Sequence, residues 1–314
     1  MSRTRRLATA FAMVAAGTLT VSSFAAPAEA AKAKPKVYKE YVSLGDSWTA
    51  DVVLLNAQGL PATEFAPIDC AQSRVNYPRL VAKALNVKTF RDASCGSATT
   101  RDFTQPQTGL PIGGTNPPQF DRLTKTTDLV TVGIGGNDAG VASAATGCLN
   151  LLPNLGLGLP SPLGGSCKDK LTAGGKDQLT AQINAAEPKV VAALKAIRKK
   201  SPKARILAVN YLAAVPTTGC YPYVQADNAD IAYLYVKFNE LNAMVKRAAA
   251  KGGAELVDTY TPTIGHDVCQ LPHIRYVEGV IPLSLNAPAV SIPLHPNSAG
   301  AAAQAEAVLA QIKR

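Results

Sequence analysis

Several short apolar runs along the chain show no regular alternation with polar residues, which is typical of parallel strands buried on both faces. They predict strands over 39–44, 88–92, 128–134, 205–211 and 255–258. Between these runs, apolar residues recur at helical spacing. That spacing predicts helices over 77–85, 188–200, 228–250 and 297–312, with Pro188 near the first turn of its helix. Strands that alternate with helices favour an α/β fold, with a parallel sheet covered on both faces.

The amino-terminal segment has a different character. Three arginines precede an apolar run that ends in Ala28-Glu29-Ala30, which is typical of a secretory signal with a small-x-small cleavage site. We therefore expect a signal peptide over 1–30, a basic leader over 31–38 and one domain over 39–314. No later stretch holds 18 consecutive apolar residues, so no transmembrane helix is expected. The predicted location is extracellular or associated with the cell envelope.

The charge balance bears on partners. The formal net charge of +10, or +8 once the expected signal peptide is removed, indicates either peripheral contact with anionic surfaces or an ordinary solvated basic surface. No basic run is interleaved with aromatic residues, so we expect no nucleic-acid partner. We expect a monomer.

The cysteines indicate an oxidising compartment. The six are Cys70, Cys95, Cys148, Cys167, Cys220 and Cys269. An even number in an exported protein favours disulfides. Six cysteines allow fifteen pairings, of which sequential pairing is the simplest. With no CxxC motif and only three histidines, we expect neither a metal site nor another cofactor.

Polar motifs follow several of the predicted strands. Gly45-Asp46-Ser47 comes after the first strand, and Gly135-Gly136-Asn137-Asp138 comes after the strand over 128–134. Gly96 follows the second strand, and His295 precedes the last helix. Gly, Asp and Ser are also ordinary turn residues. However, a serine nucleophile needs a base, usually histidine, and fixed donors for the oxyanion. Ligands of parallel sheets bind beyond the carboxyl ends of the strands, where these motifs would meet.

In their order along the chain, these four motifs resemble the SGNH or GDSL hydrolase family, especially its secreted actinobacterial lipases and esterases with three disulfides. The resemblance implies a three-layer α/β/α sandwich of flavodoxin-like type. It implies Ser47 as nucleophile and His295 as base. The oxyanion hole would consist of the backbone N–H groups of Ser47 and Gly96 and the side-chain amide of Asn137. The implied disulfides are Cys70–Cys95, Cys148–Cys167 and Cys220–Cys269.

One position departs from the family pattern. The family usually has an aspartate three residues before its histidine, where this chain has Ile292. That carboxylate normally fixes the histidine tautomer. We therefore expect a Ser–His dyad in which the backbone carbonyl of Ile292 or Pro293 accepts the His295 N–H. The rival hypothesis is a carboxylate from elsewhere, such as Asp267 or Glu278.

The resulting expectation is a secreted serine ester hydrolase, a lipase or esterase, that cleaves acyl esters through an acyl-Ser47 intermediate. The leucine-rich segment over 148–167 either lines an acyl-binding surface or packs on its own side chains, and it favours lipids only weakly. One alternative is a polysaccharide or acetyl esterase of the same fold. Another is a catalytically silent cell-envelope binding protein. Only the missing aspartate favours that second alternative, and retention of the serine, glycine, asparagine and histidine argues against it.

Overall fold

The computed structural model of the protein describes residues 36–150, 165–282 and 289–314. The signal peptide, most of the basic leader and most of the 148–167 segment lie outside the described residues. The strands are β1 (Glu40–Gly45), β2 (Val53–Asn56), β3 (Thr89–Asp92), β4 (Leu129–Gly133), β5 (Arg205–Val209), β6 (Glu255–Val257) and β7 (Ala289–Ser291). The helices are α1 (Ser47–Ala50), α2 (Tyr77–Leu85), α3 (Val141–Gly147), α4 (Cys167–Leu171), α5 (Gln178–Lys200), α6 (Asn228–Gly252) and α7 (Ser298–Ile312).

Five parallel strands form the central sheet in the order β3-β1-β4-β5-β6. Counted along the chain within this sheet, the order is 2-1-3-4-5, which is that of flavodoxin-like folds. All five strands coincide with predicted ones. A second sheet pairs β2 with β7 in antiparallel fashion. The sequence did not predict this pair, because both strands are short and more than 230 residues separate them.

Helices cover both faces of the central sheet, which confirms the predicted three layers. Successive residues of β4 face opposite sides: Val130 belongs to the buried cluster with α5 and α6, and Leu129 to the cluster with α2 and α7. Both faces of these strands are therefore apolar, and their sequences show no regular polar alternation.

Helix α5 begins ten residues earlier than predicted. The Asp177 side chain accepts the Thr180 N–H at 3.0 Å and caps the helix. Leu179 and Ile183 are buried and extend the apolar stripe upstream. Pro188 therefore lies inside the helix, and its placement near the first turn is wrong. Proline breaks one backbone hydrogen bond, and burial of the upstream turns sustains the helix despite that loss.

The structure contains the disulfides Cys70–Cys95, Cys148–Cys167 and Cys220–Cys269. The first joins a short 3₁₀ helix to the loop after β3, next to Gly96. The second connects the end of α3 to the start of α4, so the leucine-rich segment between these two helices is closed at its base. None of the described helices is both long and apolar enough to cross a membrane.

Candidate active site

The turn after β1 presents Ser47 at the carboxyl end of the sheet. Gly45 has φ +155°, and a Cβ there would lie 2.5 Å from the Gly133 carbonyl oxygen and 2.3 Å from Thr49 Oγ1. Only glycine fits this close approach. The next residue, Asp46, caps helix α1 because its Oδ1 accepts the Trp48 N–H at 3.0 Å. Ser47 is therefore held as the first residue of a capped helix.

Two further contacts tie this turn to its neighbours. Gln119 is fully buried, and its Oε1 accepts the Gly45 N–H at 2.8 Å while its Nε2 donates to the Gly45 carbonyl at 2.9 Å. The Asp46 N–H donates to the Gly133 carbonyl at 3.0 Å. No sequence pattern pointed to Gln119, because it lies 74 residues away from Gly45, in a short 3₁₀ helix without a motif.

The His295 ring lies between Ser47 and a backbone carbonyl. Its Nε2 is 2.8 Å from Ser47 Oγ, and its Nδ1 is 2.8 Å from the Pro293 carbonyl oxygen. A carbonyl only accepts, so Nδ1 carries the proton and Nε2 is free to accept from the serine hydroxyl. Burial lowers the pKa of His295, although the bond to Pro293 opposes the shift. The ring therefore favours the neutral form, which a general base requires.

The two rival carboxylates have other partners. Asp267 accepts the Cys269 N–H at 2.9 Å and the Gln270 side chain at 3.2 Å. Glu278 accepts from Arg275 at 2.6 Å and from Asn297 at 3.0 Å.

Of the carbonyls and carboxylates proposed to orient the ring, the structure places the Pro293 carbonyl against it. Leu294, between Pro293 and His295, has φ +62°, a left-handed conformation that is costly for leucine. Its N–H donates to the Glu278 carbonyl at 3.1 Å, and the Glu278 N–H donates to the His295 carbonyl at 2.8 Å. This backbone pairing holds the strained loop that aims the Pro293 carbonyl at the ring.

The predicted oxyanion donors differ in their surroundings. The Ser47 N–H is at the first residue of α1, where a helix offers it no acceptor. Asn137 donates one amide hydrogen to the Ala98 carbonyl at 2.9 Å, which orients the group and leaves its second hydrogen. The Gly96 N–H donates to the Cys70 carbonyl at 3.2 Å. Gly96 would therefore have to share or leave that bond to act as a donor, and its role stays a prediction.

Ser47, Asn137 and His295 line one cavity of about 120 Å³. Apart from these three, its walls are almost entirely apolar. They include Val141, Ala145, Leu149, Val224, Ile231, Leu234, Phe238 and Val268. Leu149 comes from the leucine-rich segment, whose other leucines lie outside the described residues. An apolar cavity beside a nucleophile can hold an acyl chain.

Within the described parts of the chain, no group of three or more histidine, cysteine, aspartate or glutamate side chains could hold a metal ion. His266 lies away from this cavity lining. Its ring stacks on that of Tyr276, with centroids 3.8 Å apart, and its Nδ1 is hydrogen-bonded to the Ile274 carbonyl, so its role is in packing.

Comparison with known proteins gives consistent results. The model of the GDSL-like lipase/acylhydrolase family matches residues 43–303. Lipase 2 of Streptomyces coelicolor is 34% identical over 306 residues, which cover 96% of this chain and 95% of that protein. An esterase of Streptomyces scabiei is 30% identical, with 93% and 90% covered. Among solved structures, phospholipase A1 from Streptomyces albidoflavus superposes with a TM-score of 0.60 at 22% identity, covering 87% of this chain and 99% of that one.

Proposed function

The chain belongs to the GDSL-like lipase/acylhydrolase family and is a carboxylic ester hydrolase, and we propose that Ser47 and His295 form its catalytic dyad. The observation that carries this proposal is the hydrogen-bonded series from Ser47 Oγ through the His295 ring to the Pro293 carbonyl, with 2.8 Å at each step. Family membership leaves the alternative of a silent binding protein without support.

In the proposed acylation step, His295 Nε2 takes the hydroxyl proton while Ser47 Oγ attacks the ester carbonyl. The imidazolium that forms keeps its Nδ1–H on the Pro293 carbonyl. It then gives the Nε2 proton to the departing alkoxide as the C–O bond breaks. The products of this step are an alcohol and an acyl-Ser47 ester.

In deacylation, His295 takes a proton from water as the water oxygen attacks the acyl carbonyl. The imidazolium then gives its Nε2 proton to Ser47 Oγ as the acyl C–O bond breaks, which releases the carboxylic acid and free Ser47. Both tetrahedral intermediates carry a negative oxygen. The Ser47 N–H and the second amide hydrogen of Asn137 are the donors proposed for this oxygen. The Gly96 N–H would be a third donor if it gave up its hydrogen bond to the Cys70 carbonyl. Each such donor is typically worth about 10²–10³ in rate.

The apolar lining of the cavity supports an acyl chain as the substrate's apolar part. Each methylene that moves from water into such a cavity contributes about 0.8 kcal/mol, or roughly fourfold in kcat/KM. The favoured substrates are therefore lipid-like esters. An acetyl ester would leave most of the apolar wall uncovered, so the acetyl-esterase alternative predicts the opposite chain-length profile.

The experiment is hydrolysis of a chain-length series of p-nitrophenyl esters. The variants are Ser47→Ala and His295→Ala, with Ser143→Ala and His273→Ala as exposed controls. We expect kcat/KM to rise from acetate to longer chains, both site variants to lose nearly all activity, and both controls to keep it. An inert native protein, or a Ser47→Ala variant as active as native, would overturn the proposal.

Export is a further part of the proposal. Three disulfides are favoured in an oxidising compartment, and a relative of similar fold, from Streptomyces rimosus, is described as an extracellular lipase. Amino-terminal sequencing of protein recovered from culture medium should begin at Ala31. A start at Ser2, or absence from both the medium and the cell-envelope fraction, would contradict it. Contact with anionic surfaces, the monomeric state and the lack of a nucleic-acid partner stay predictions.

A further inference from the structure

Tyr211 lies just beyond the carboxyl end of β5 and is 4% exposed. Its hydroxyl donates to Asp46 Oδ2 at 2.6 Å and accepts the Gly136 N–H at 2.7 Å. Asp46 immediately precedes Ser47, and Gly136 immediately precedes Asn137. A single hydroxyl group thus joins the nucleophile turn to the turn that carries an oxyanion donor.

We propose that Tyr211 is a positioning residue whose hydroxyl fixes Ser47 relative to Asn137. The inference rests on the proposed roles of those two residues. Tyr211 itself does not react, and it acts through the residues that precede them.

The hydroxyl is held firmly, because the rest of Tyr211 is fixed on two sides. Asn242 accepts the Tyr211 N–H at 2.9 Å and donates to its carbonyl at 3.1 Å. The ring packs edge-on against Trp48, with centroids 5.4 Å apart, and against Phe238 at 6.2 Å. A phenylalanine would keep these ring contacts and lose only the two bonds of the hydroxyl.

The two turns are shaped to receive this hydroxyl. A Cβ on Gly136 would lie 2.9 Å from Tyr211 Oη, so the absence of a side chain permits the N–H to approach. On the other side, Asp46 Oδ1 is already bonded to the Trp48 N–H, and Oδ2 takes the tyrosine. The buried network is therefore fully paired, and such networks rigidify what they connect.

The distance between Ser47 and Asn137 matters more for stabilising the transition state than for binding the substrate. The oxyanion forms only after Ser47 Oγ attacks, and its donors must then be in place. A displacement of about 1 Å in such a site can cost about 10² in rate. The apolar cavity, which binds the acyl chain, gains little from the hydroxyl. Loss of the hydroxyl should therefore lower kcat while KM changes little.

The test is Tyr211→Phe, with Tyr41→Phe as the matched control. Tyr41 is likewise buried, and its hydroxyl lies 2.7 Å from Thr131 Oγ1 in the core, away from the proposed site. We expect Tyr211→Phe to lower kcat about tenfold to hundredfold with KM within threefold. Tyr41→Phe should keep kcat within twofold. A Tyr211→Phe kcat within twofold of native, or a loss confined to KM, would overturn the proposal.

A second variant guards against a general loss of stability. An alanine at Gly136 would collide with the tyrosine hydroxyl, and Tyr211→Phe would relieve part of that collision. The fold-loss in kcat of the double variant should therefore be smaller than the product of the fold-losses of Gly136→Ala and Tyr211→Phe. A loss equal to that product would contradict coupling through the hydroxyl.

These outcomes are separable from failure of the proposed function. If native protein is inert, or if Ser47→Ala retains activity, the dyad is wrong. If native activity depends on Ser47 but not on the Tyr211 hydroxyl, the positioning role alone is wrong.

Discussion

Asp267→Asn distinguishes a Ser–His dyad, whose histidine is oriented by the Pro293 carbonyl, from a triad completed by the Asp267 carboxylate. In the structure, the Asp267 carboxylate accepts the Cys269 N–H at 2.9 Å, in a turn of its own, while the His295 Nδ1–H donates to the Pro293 carbonyl at 2.8 Å. Asparagine keeps an oxygen for the Cys269 N–H, removes the charge, and replaces by an amide the second oxygen, which accepts from the Gln270 side chain at 3.2 Å. The substitution should therefore leave the orientation of the histidine unchanged.

The two hypotheses differ greatly in the size of the expected effect. Replacing the aspartate of a triad by asparagine typically lowers kcat by about 10⁴, or roughly 5 kcal/mol of transition-state stabilisation. If Asp267 only caps a turn, the loss is that of one partly replaced hydrogen bond, about 1 kcal/mol of stability. The dyad predicts kcat/KM within about threefold of native.

The assay is kcat/KM on one p-nitrophenyl ester, with thermal unfolding measured in parallel. Asp258→Asn is a matched control, since Asp258 also accepts the N–H two residues on, at 3.0 Å to Tyr260. Both variants should behave alike. A loss of a hundredfold or more in Asp267→Asn alone, in a folded protein, would refute the assignment of the Pro293 carbonyl.

Three further predictions follow from the cavity and from buried titrating groups. Ala145→Phe, which fills the cavity, should shift the best ester to a shorter chain, whereas Ser143→Phe on the exposed side of α3 should not; identical profiles would contradict the acyl-chain assignment. Because burial lowers the pKa of His295, its base-competent form persists below pH 6.5, so the acid limb of kcat/KM should have its midpoint below that value; a midpoint above pH 7 would contradict it. Burial raises the pKa of Asp51 to about 7. The stability that its neutral form contributes is therefore fully present below about pH 4 and is lost as pH rises through 7, which lowers the free energy of unfolding by up to about 4 kcal/mol. Chemical denaturation of Asp51→Asn should therefore show a smaller fall in unfolding free energy between pH 4 and pH 8, and an equal fall in both proteins would refute this.

The fold could be predicted from sequence where burial is symmetrical. Strands covered on both faces must be apolar on both, and each of the five central strands showed that pattern. Prediction failed where a local rule competed with distant packing. Pro188 is normally a sign of a first helical turn, yet burial of Leu179 and Ile183 extends α5 beyond it. The β2–β7 pair depends on contact between the two ends of the domain, which no local pattern encodes.

The same distinction holds within the site. Ser47, Asn137 and His295 lie in motifs, because the proposed nucleophile, oxyanion donor and base each need a particular side chain. The group that orients the histidine is a carbonyl, which every residue possesses, and its direction depends on the left-handed backbone of Leu294. Gln119 and Tyr211 act across 74 and 165 residues of sequence on Gly45 and Asp46. Residue type alone carries no sign of such contacts.

The most direct test of the central claim is to locate the covalent intermediate. The protein is treated with a p-nitrophenyl alkylphosphonate, which phosphonylates an activated serine and releases p-nitrophenol, and the modified peptide is found by mass spectrometry. We expect one adduct, on Ser47, that forms much more slowly in His295→Ala. An adduct on another residue, or equal labelling rates in native and His295→Ala protein, would contradict it.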